Sequence, residues 1–292
     1  MSDIRVGFIG LGNMGEGMAY NLATKGFAPT VFDVRPEPLE RLQAEGATIA
    51  ATCAEVGARS DLLCVAVFDD RQIEQVLFGA GDDTGALCAM PKGGLVILHP
   101  TTSPAVAARV ADAAAERGIA VIDAPMTGGG GVAARAGTLI FMVGGEKGDV
   151  DRAMPVLEAM AATVFHVGPL GAGQAAKIVN NFLGVSQTIL MREALRISGS
   201  AGIAEERMLE ILNHGGSAAG ASWTSRNWEH IKKQEASYTT GRQGMVAMAR
   251  KDMQLAHGLA GSNGVATPTL SAMIGASLPD LDRSGLTDNG ID

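Results

Sequence analysis

Hydrophobic and polar positions divide the chain into two stretches of different rhythm. Up to about residue 168, short apolar runs with a β-branched bias alternate with segments of helical period. Residues 5–9, 29–33, 48–50, 61–67, 94–98, 119–123, 138–144 and 163–167 read as strands. Segments following Gly15, around 38–44, at 105–117 and at 149–160 read as helices. This alternation predicts an α/β fold, a doubly wound, mostly parallel sheet over residues 1–168. After Gly171 the strand rhythm stops. Helical stretches at 172–201, 205–214, 224–233, 244–260 and 268–276 predict an all-α C-terminal domain over residues 169–292, entered through a long interdomain helix. The glycine-rich 215–220 segment reads as a flexible loop. The polar tail from Leu278, with Asp280, Asp282 and Asp288, reads as fraying.

The first strand runs into Gly10-Leu11-Gly12-Asn13-Met14-Gly15, a helix follows, and Asp33 closes the next strand. A G-x-G-x-x-G turn between strand and helix, with an acid about 20 residues on, is a dinucleotide-binding arrangement. Gly10 permits the tight turn, Gly12 lets the backbone approach a pyrophosphate, and Gly15 lets the helix pack on the strand. The helix N-terminus offers N–H groups and positive dipole to phosphates. Asp33 suits the two ribose hydroxyls and repels a 2′-phosphate, which points to NAD. Arg35, two positions on, leaves NADP open. In such sheets ligands sit beyond the carboxyl ends of the strands. Val67, Phe68 and Thr101 lie there and join the cofactor-binding candidates. Gly128 to Gly131 read either as a flexible turn or as bare N–H groups beside an anion, with the Thr127 hydroxyl at the edge. The strand-end position favours the second reading.

Composition narrows the function classes. The net charge of −8 opposes nucleic-acid and anionic-membrane binding, since the field repels phosphate. No apolar run reaches the roughly 18 residues of a membrane span, and the start of the chain shows no signal-peptide pattern. Cys53, Cys64 and Cys88 share no C-x-x-C spacing, which suits reduced thiols in a cytoplasmic protein.

Lys177, Asn180 and Asn181 fall at i, i+3 and i+4, so one helix face carries an ammonium and two amides. Alone, such a cluster is readily a solvated face. Next to a dinucleotide site it suggests hydride transfer in the cleft between the two domains. Lys177 then exchanges the proton of the substrate hydroxyl. A free lysine titrates near about 10.4, so it is either tuned down by burial or acts as a protonated hydrogen-bond donor; both stay open. Asn181 orients the hydroxyl or carboxylate, and Thr127 with the Gly128 and Gly129 amides holds a carboxylate. A Tyr-x-x-x-Lys pair is absent, and no His/Cys/Asp set suggests catalytic zinc. The five histidines are scattered and read as surface or helix-end residues, with His99 set apart by its strand-end position.

Four segments in order carry a resemblance. They are Gly10 to Gly15, Asp123-Ala124-Pro125-Met126-Thr127-Gly128-Gly129, Gly171-Ala172-Gly173 with Lys177-Ile178-Val179-Asn180-Asn181, and Lys251-Asp252-Met253-Gln254-Leu255-Ala256. Together they resemble the β-hydroxyacid dehydrogenases, the group containing 3-hydroxyisobutyrate dehydrogenase and tartronate semialdehyde reductase. The resemblance implies a Rossmann domain, a helical domain that forms homodimers or homotetramers, and hydride exchange between NAD(P) and a small β-hydroxyacid. It implies that Lys177 is catalytic, that Asn181 and the Thr127, Gly128 and Gly129 segment touch substrate, and that Lys251 lies near the nicotinamide. Without it, Lys251 reads as part of a solvated charge run. The chain departs from the family in four places. Leu98-His99-Pro100-Thr101 replaces Asp-x-Ser-Thr, Thr127 replaces a serine, 241–249 lacks an aromatic residue, and the end is shorter than the resemblance leads one to expect. These leave the substrate open. The rivals are an imine reductase on the same scaffold and a non-catalytic dinucleotide-binding interaction module; Lys177 weighs against both.

Overall fold

A computed structural model describes residues 4–80, 83–214, 223–236, 238 and 241–287. The chain divides into two compact units, Met1–Lys177 and Ile178–Asp292.

The first unit opens with β1 (Val6–Ile9), α1 (Gly15–Thr24), β2 (Thr30–Phe32), α2 (Pro36–Ala44), β3 (Thr48–Ile49), α3 (Cys53–Ala58) and β4 (Leu62–Val65). Next come α4 (Asp70–Phe78), the small hairpin β5 (Gly79–Ala80) and β6 (Asp83–Thr84), and α5 (Ala86–Ala89). Then follow β7 (Leu95–Leu98), α6 (Pro104–Ala115) and β8 (Ala120–Asp123). β9 (Met126–Thr127), α7 (Gly130–Ala136), β10 (Leu139–Gly144), α8 (Lys147–Met160) and β11 (Ala161–Gly168) complete the sheet. Its order is β11-β10-β8-β7-β4-β1-β2-β3, with β9 paired to β10. The pairs from β3 across to β8 are parallel, as is β10 with β11; β10 runs antiparallel to β8 and β9.

The central strands are buried on both faces, which is why they read as near-continuous apolar runs. Successive side chains still alternate. Leu62, Cys64, Leu95 and Ile97 enter one core layer with Phe8 and Phe141. Leu63, Val65, Val96 and Leu98 enter the opposite layer with Ile9 and Val110. β1 pairs with both β2 and β4, so the chain turns in opposite directions on either side of it. That switch point is where a doubly wound sheet opens a crevice at its carboxyl edge.

Three helices, α3 to α5, fall where the sequence reading places none; α3 and α5 are too short to repeat a hydrophobic period, whereas α4 is as long as α2. Two declare themselves by caps instead. Thr52 Oγ1 accepts from the Glu55 N–H at 3.1 Å, and Asp69 Oδ1 from the Gln72 N–H at 2.8 Å.

α9 (Ala172–Ser200) contains the division between the units. The second unit continues with α10 (Glu205–His214), α11 (Trp223–Arg226), α12 (Trp228–Ala236) and α13 (Gly241–Ser262). α14 (Pro268–Ala272), a π-helical turn (Met273–Ser277) and α15 (Leu278–Ser284) follow. Ile178, Ile189, Leu195, Trp228, Met253 and Leu278 belong to its core. The stretch read as one helix at 224–233 is two, α11 and α12, interrupted at Asn227.

The described part of the tail, from Leu278 to residue 287, does not fray. Leu278, Leu281 and Leu286 are buried, and two of the acids that made the segment look solvated, Asp280 and Asp282, are paired. Asp280 Oδ2 accepts from Arg192 at 2.8 Å and Arg196 at 2.7 Å, and Asp282 pairs with Arg250. Beyond α15, the buried Glu235 carboxylate accepts the N–H groups of Leu286 and Thr287. The 215–220 segment and Asp288 lie outside the described residues.

Candidate active site

The dinucleotide turn is set by backbone constraints. Gly10 has φ +94°, and a Cβ there would stand 2.6 Å from the Ala66 carbonyl at the end of β4. A side chain is excluded on both counts. At Gly12, by contrast, no described atom lies within 4 Å of an added Cβ. The space over this peptide is open at the N-terminus of α1, where N–H groups and dipole favour an anion.

Asp33, just past the end of β2, is tied to this turn. Its Oδ2 accepts from the Leu11 N–H at 2.6 Å. Its Oδ1 accepts from the Arg35 N–H at 2.9 Å and Arg35 Nε at 3.0 Å. Burial pushes the Asp33 carboxyl up, but the Arg35 guanidinium and the two N–H groups together hold it below the usual range. A carboxylate at this place suits ribose hydroxyls. The open turn, the helix N-terminus and this acid fit a dinucleotide.

Val67 and Phe68 follow β4 and Thr101 follows β7, at the carboxyl edge. Phe68 is 51% exposed, and its N–H donates to Gln72 Oε1 at 2.8 Å. His99 is not a surface histidine. It is fully buried between Phe8 and Phe141, with Nδ1 2.8 Å from the Ala124 carbonyl oxygen. Burial pushes its pKa down to about 4, against the pull of that hydrogen bond. The imidazole is therefore neutral near pH 7 and part of the core.

The glycine run is not a loop throughout. Gly128 and Gly129 turn the chain at φ +125° and +119°, and α7 starts at Gly130. A Cβ on Gly131 would stand 2.5 Å from Asn13 Oδ1 and 2.7 Å from the Asn13 carbonyl oxygen. The run thus lets α7 close against the dinucleotide turn. One turn further along α7, the Ala134 carbonyl accepts from Asn21 Nδ2 at 2.8 Å, joining α1 to α7.

Asp123, last in β8, is fully buried and caps the start of α9 from another element. Its Oδ1 accepts from the Gly171 N–H and its Oδ2 from the Gln174 N–H, both at 2.6 Å. Burial pushes its pKa up to about 6, against those two N–H donors. The sequence shows an acid in a resembling motif but not this capping role. α9 then carries Lys177, half-buried, one turn beyond Gln174.

In the second unit, Asn181 Nδ2 donates to Asp252 Oδ2 at 2.7 Å, and Lys251 Nζ lies 3.7 Å from Asp252 Oδ1. Asp252 is buried, and its charge adds to burial in raising the Tyr238 pKa. Asn181 and Lys251, widely separated in sequence, are thus gathered on one carboxylate. Asp252 was missed as a candidate because in Arg250-Lys251-Asp252 it looks like one more surface charge. Asn180 is exposed and donates to Asn181 Oδ1 at 3.3 Å.

Known proteins resolve the family. Residues 5–168 match the model described as the NAD-binding domain of 6-phosphogluconate dehydrogenase. Residues 171–288 match the model described as NAD-binding of NADP-dependent 3-hydroxyisobutyrate dehydrogenase. An NAD-dependent L-serine dehydrogenase of Pseudomonas aeruginosa is 34% identical over 268 residues, 90% of this chain and 88% of the relative. The chain belongs to the 3-hydroxyisobutyrate dehydrogenase family. Members of this β-hydroxyacid dehydrogenase family are NAD(P)-dependent oxidoreductases, and so is this chain. A 3-hydroxyisobutyrate dehydrogenase structure from Salmonella typhimurium superposes with TM-score 0.84 at 28% identity, covering 99% of this chain and 98% of that one. The Mycobacterium tuberculosis 3-hydroxyisobutyrate dehydrogenase with L-serine gives 0.79 at 26%, covering 98% and 96%. Among the described residues no helix of this β-hydroxyacid dehydrogenase is long and apolar enough to cross a membrane.

Proposed function

We propose that the chain exchanges a hydride between NAD and a small β-hydroxyacid of the 3-hydroxyisobutyrate or glycerate/tartronate-semialdehyde kind, with Lys177 as general acid/base. One observation carries the reading. The first turn of α9 is pinned to the carboxyl edge of the sheet by the Asp123 carboxylate, and Lys177 stands one turn further on. L-serine is also a β-hydroxyacid, and it appears in the names of two similar proteins. It belongs in the substrate panel for that reason.

Gly10, Leu11, Gly12, Asn13, Met14 and Gly15 cradle the pyrophosphate, Asp33 takes the ribose hydroxyls, and Val67, Phe68, Thr101 and Lys251 complete the cofactor contacts. The nicotinamide, when bound, supplies or accepts the hydride. Lys177 Nζ takes the hydroxyl proton in oxidation and returns it in reduction. Asn181 orients the substrate hydroxyl, its own amide fixed by Asp252. Thr127 Oγ1 and the Gly128 and Gly129 N–H groups hold the carboxylate. Residues 1–168 serve as the dinucleotide domain and 169–292 as the substrate and oligomerisation domain.

Val179, Leu183, Leu190 and Ile197 are 52, 52, 54 and 71% exposed at helical spacing on α9. An apolar stripe of that kind supports a homodimer or homotetramer. The unpatterned cysteines support a cytoplasmic setting.

Lys177→Ala tests the reading. Turnover with the best hydroxyacid of a panel is expected to fall at least about 10²-fold while NAD still binds. Turnover unchanged from the parent protein removes Lys177 from the chemistry.

A further inference from the structure

Gln174 is fully buried, and its carboxamide reaches from the first turn of α9 to the loop after β7. Its Nε2 donates to the Pro100 carbonyl at 2.9 Å, and its Oε1 accepts from the Thr102 N–H at 3.0 Å. These are the two peptide groups that flank Thr101. One side chain therefore restrains the backbone on both sides of that residue. The backbone N–H of Gln174 is itself held by Asp123 Oδ2 at 2.6 Å. On the far side of the loop the Thr102 hydroxyl donates to Asp70 Oδ1, at the start of α4. Lys177 follows Gln174 by three residues, so the two share a helix face.

We propose that Gln174 is a positioning residue for hydride transfer, holding the Thr101 backbone and the Lys177 turn of α9 in one fixed relation. The inference rests on the reading of Lys177 as the acid/base. Its physical basis is the donor and acceptor inventory. A carboxamide presents one N–H side and one C=O side in a plane, which is what a carbonyl and an N–H from adjacent peptide groups require. Asparagine has the same pair but is one methylene short. A hydrophobic side chain leaves both peptide groups buried without this partner, free to settle otherwise. Glutamate reaches as far as glutamine, but as a carboxylate it sets an oxygen against the Pro100 carbonyl. Protonated, it offers a donor and an acceptor again. The charged groups facing this position are Asp123, through the Gln174 N–H, and Asp70, through Thr102. Both are acids, and with burial they raise the pKa of a glutamate placed here.

The test uses Gln174→Met, close to isosteric, and Gln174→Glu in the full chain, with Lys177→Ala in parallel. The substrate is whichever of 3-hydroxyisobutyrate, D-glycerate and L-serine turns over fastest with NAD. Gln174→Met is expected to lower kcat by about 10- to 100-fold, with the KM for NAD within about threefold. Amide exchange in peptides spanning 100–102 is expected to accelerate. For Gln174→Glu, kcat divided by the parent value at each pH is expected to rise as pH falls from 9 to 6. Either a parent-like kcat in folded Gln174→Met or a pH-independent ratio for Gln174→Glu overturns the proposal. Loss of folding in both variants overturns it too, assigning Gln174 to stability alone. Inactive Lys177→Ala beside unaffected Gln174 variants refutes this inference and keeps the lysine; active Lys177→Ala refutes the lysine first.

Discussion

Arg35 clasps Asp33: Nε donates to Oδ1 at 3.0 Å, and Nη2 reaches past the carboxylate to the Leu11 carbonyl at 2.7 Å. The acid that suits a ribose and the cation that suits a 2′-phosphate therefore hold each other at the edge of the dinucleotide turn. Asp33→Ala removes a charged acceptor worth about 1.5–3 kcal/mol to a bound hydroxyl, so NAD is expected to bind roughly 10- to 100-fold more weakly. It also releases Arg35, so the NADP-to-NAD ratio of kcat/KM is expected to rise. Arg35→Ala is expected to lower that ratio. Cofactor titrations of both variants check this; a ratio unmoved by either substitution removes the pair from cofactor choice.

Gly131→Ala places a methyl carbon 2.5 Å from Asn13 Oδ1 and 2.7 Å from the Asn13 carbonyl oxygen, well inside contact distance. The dinucleotide turn or α7 must shift. NAD affinity is expected to drop about tenfold, at a cost to stability of about 1–3 kcal/mol for overpacking. Calorimetric titration with NAD, alongside urea unfolding, measures both. Affinity within twofold of the parent would show that the turn absorbs the methyl without moving.

His99 and Asp123 drive stability in opposite directions over the same pH range. The His99 pKa is about 4 folded and about 6.5 unfolded, so the unfolded chain takes its proton first. Its contribution is present above about pH 6.5 and lost as pH falls to 4. Asp123 titrates at about 6 folded and about 3.9 unfolded. Its contribution is complete below about pH 4 and lost as pH rises through 6. Each shift is worth about 3 kcal/mol at about 1.4 kcal/mol per pH unit, so the two nearly cancel. Asp123→Asn is expected to reveal the falling limb, with stability dropping from pH 6.5 to 4. His99→Gln is expected to reveal the rising one. Urea denaturation at half-unit steps reads the slopes; parallel curves for both variants and parent would refute the opposition.

Asp280 holds Arg192, which is 1% exposed, and Arg196. The Arg192 guanidinium, against burial and with help from Arg196, brings the Asp280 carboxyl down to about 2. Its stabilisation is present above about pH 4 and lost as pH falls through 2. Asp280→Asn removes the charge that Asp280 sets against the buried Arg192. The expected loss is about 2–3 kcal/mol, below the range for a fully buried pair because Asp280 is partly exposed. The unfolding midpoint in urea at pH 7 reports it, and a change under about 0.5 kcal/mol would show that the arginines find other partners.

The sheet was legible because its central strands are apolar on both faces and α1, α2, α6 and α8 are long enough to repeat a period. Gly10 to Gly15 and Asp33 were legible because a turn and a ribose acceptor need fixed residue types. What escaped depends on tertiary approach. Nothing in Gly131 announces that its missing side chain admits Asn13. Nothing in Asp123 announces a cap on a helix that starts 49 residues later at Ala172. Gln174 sits in an apolar run as an ordinary polar residue until the Pro100 and Thr102 peptides come to either side of it. The tail was misread because Asp280 and Asp282 were counted as solvated, when their arginine partners lie on α9 and α13.

Glu235 reaches the N–H groups of Leu286 and Thr287 from α12, so the last described residues are stitched into the helical core. A deletion that removes them takes away three donors, the two N–H groups and the Thr287 hydroxyl, from a carboxylate that is only 3% exposed. Engineers trimming the C-terminal end for expression or crystallisation therefore have no spare length before residue 287, and a C-terminal affinity tag belongs after it.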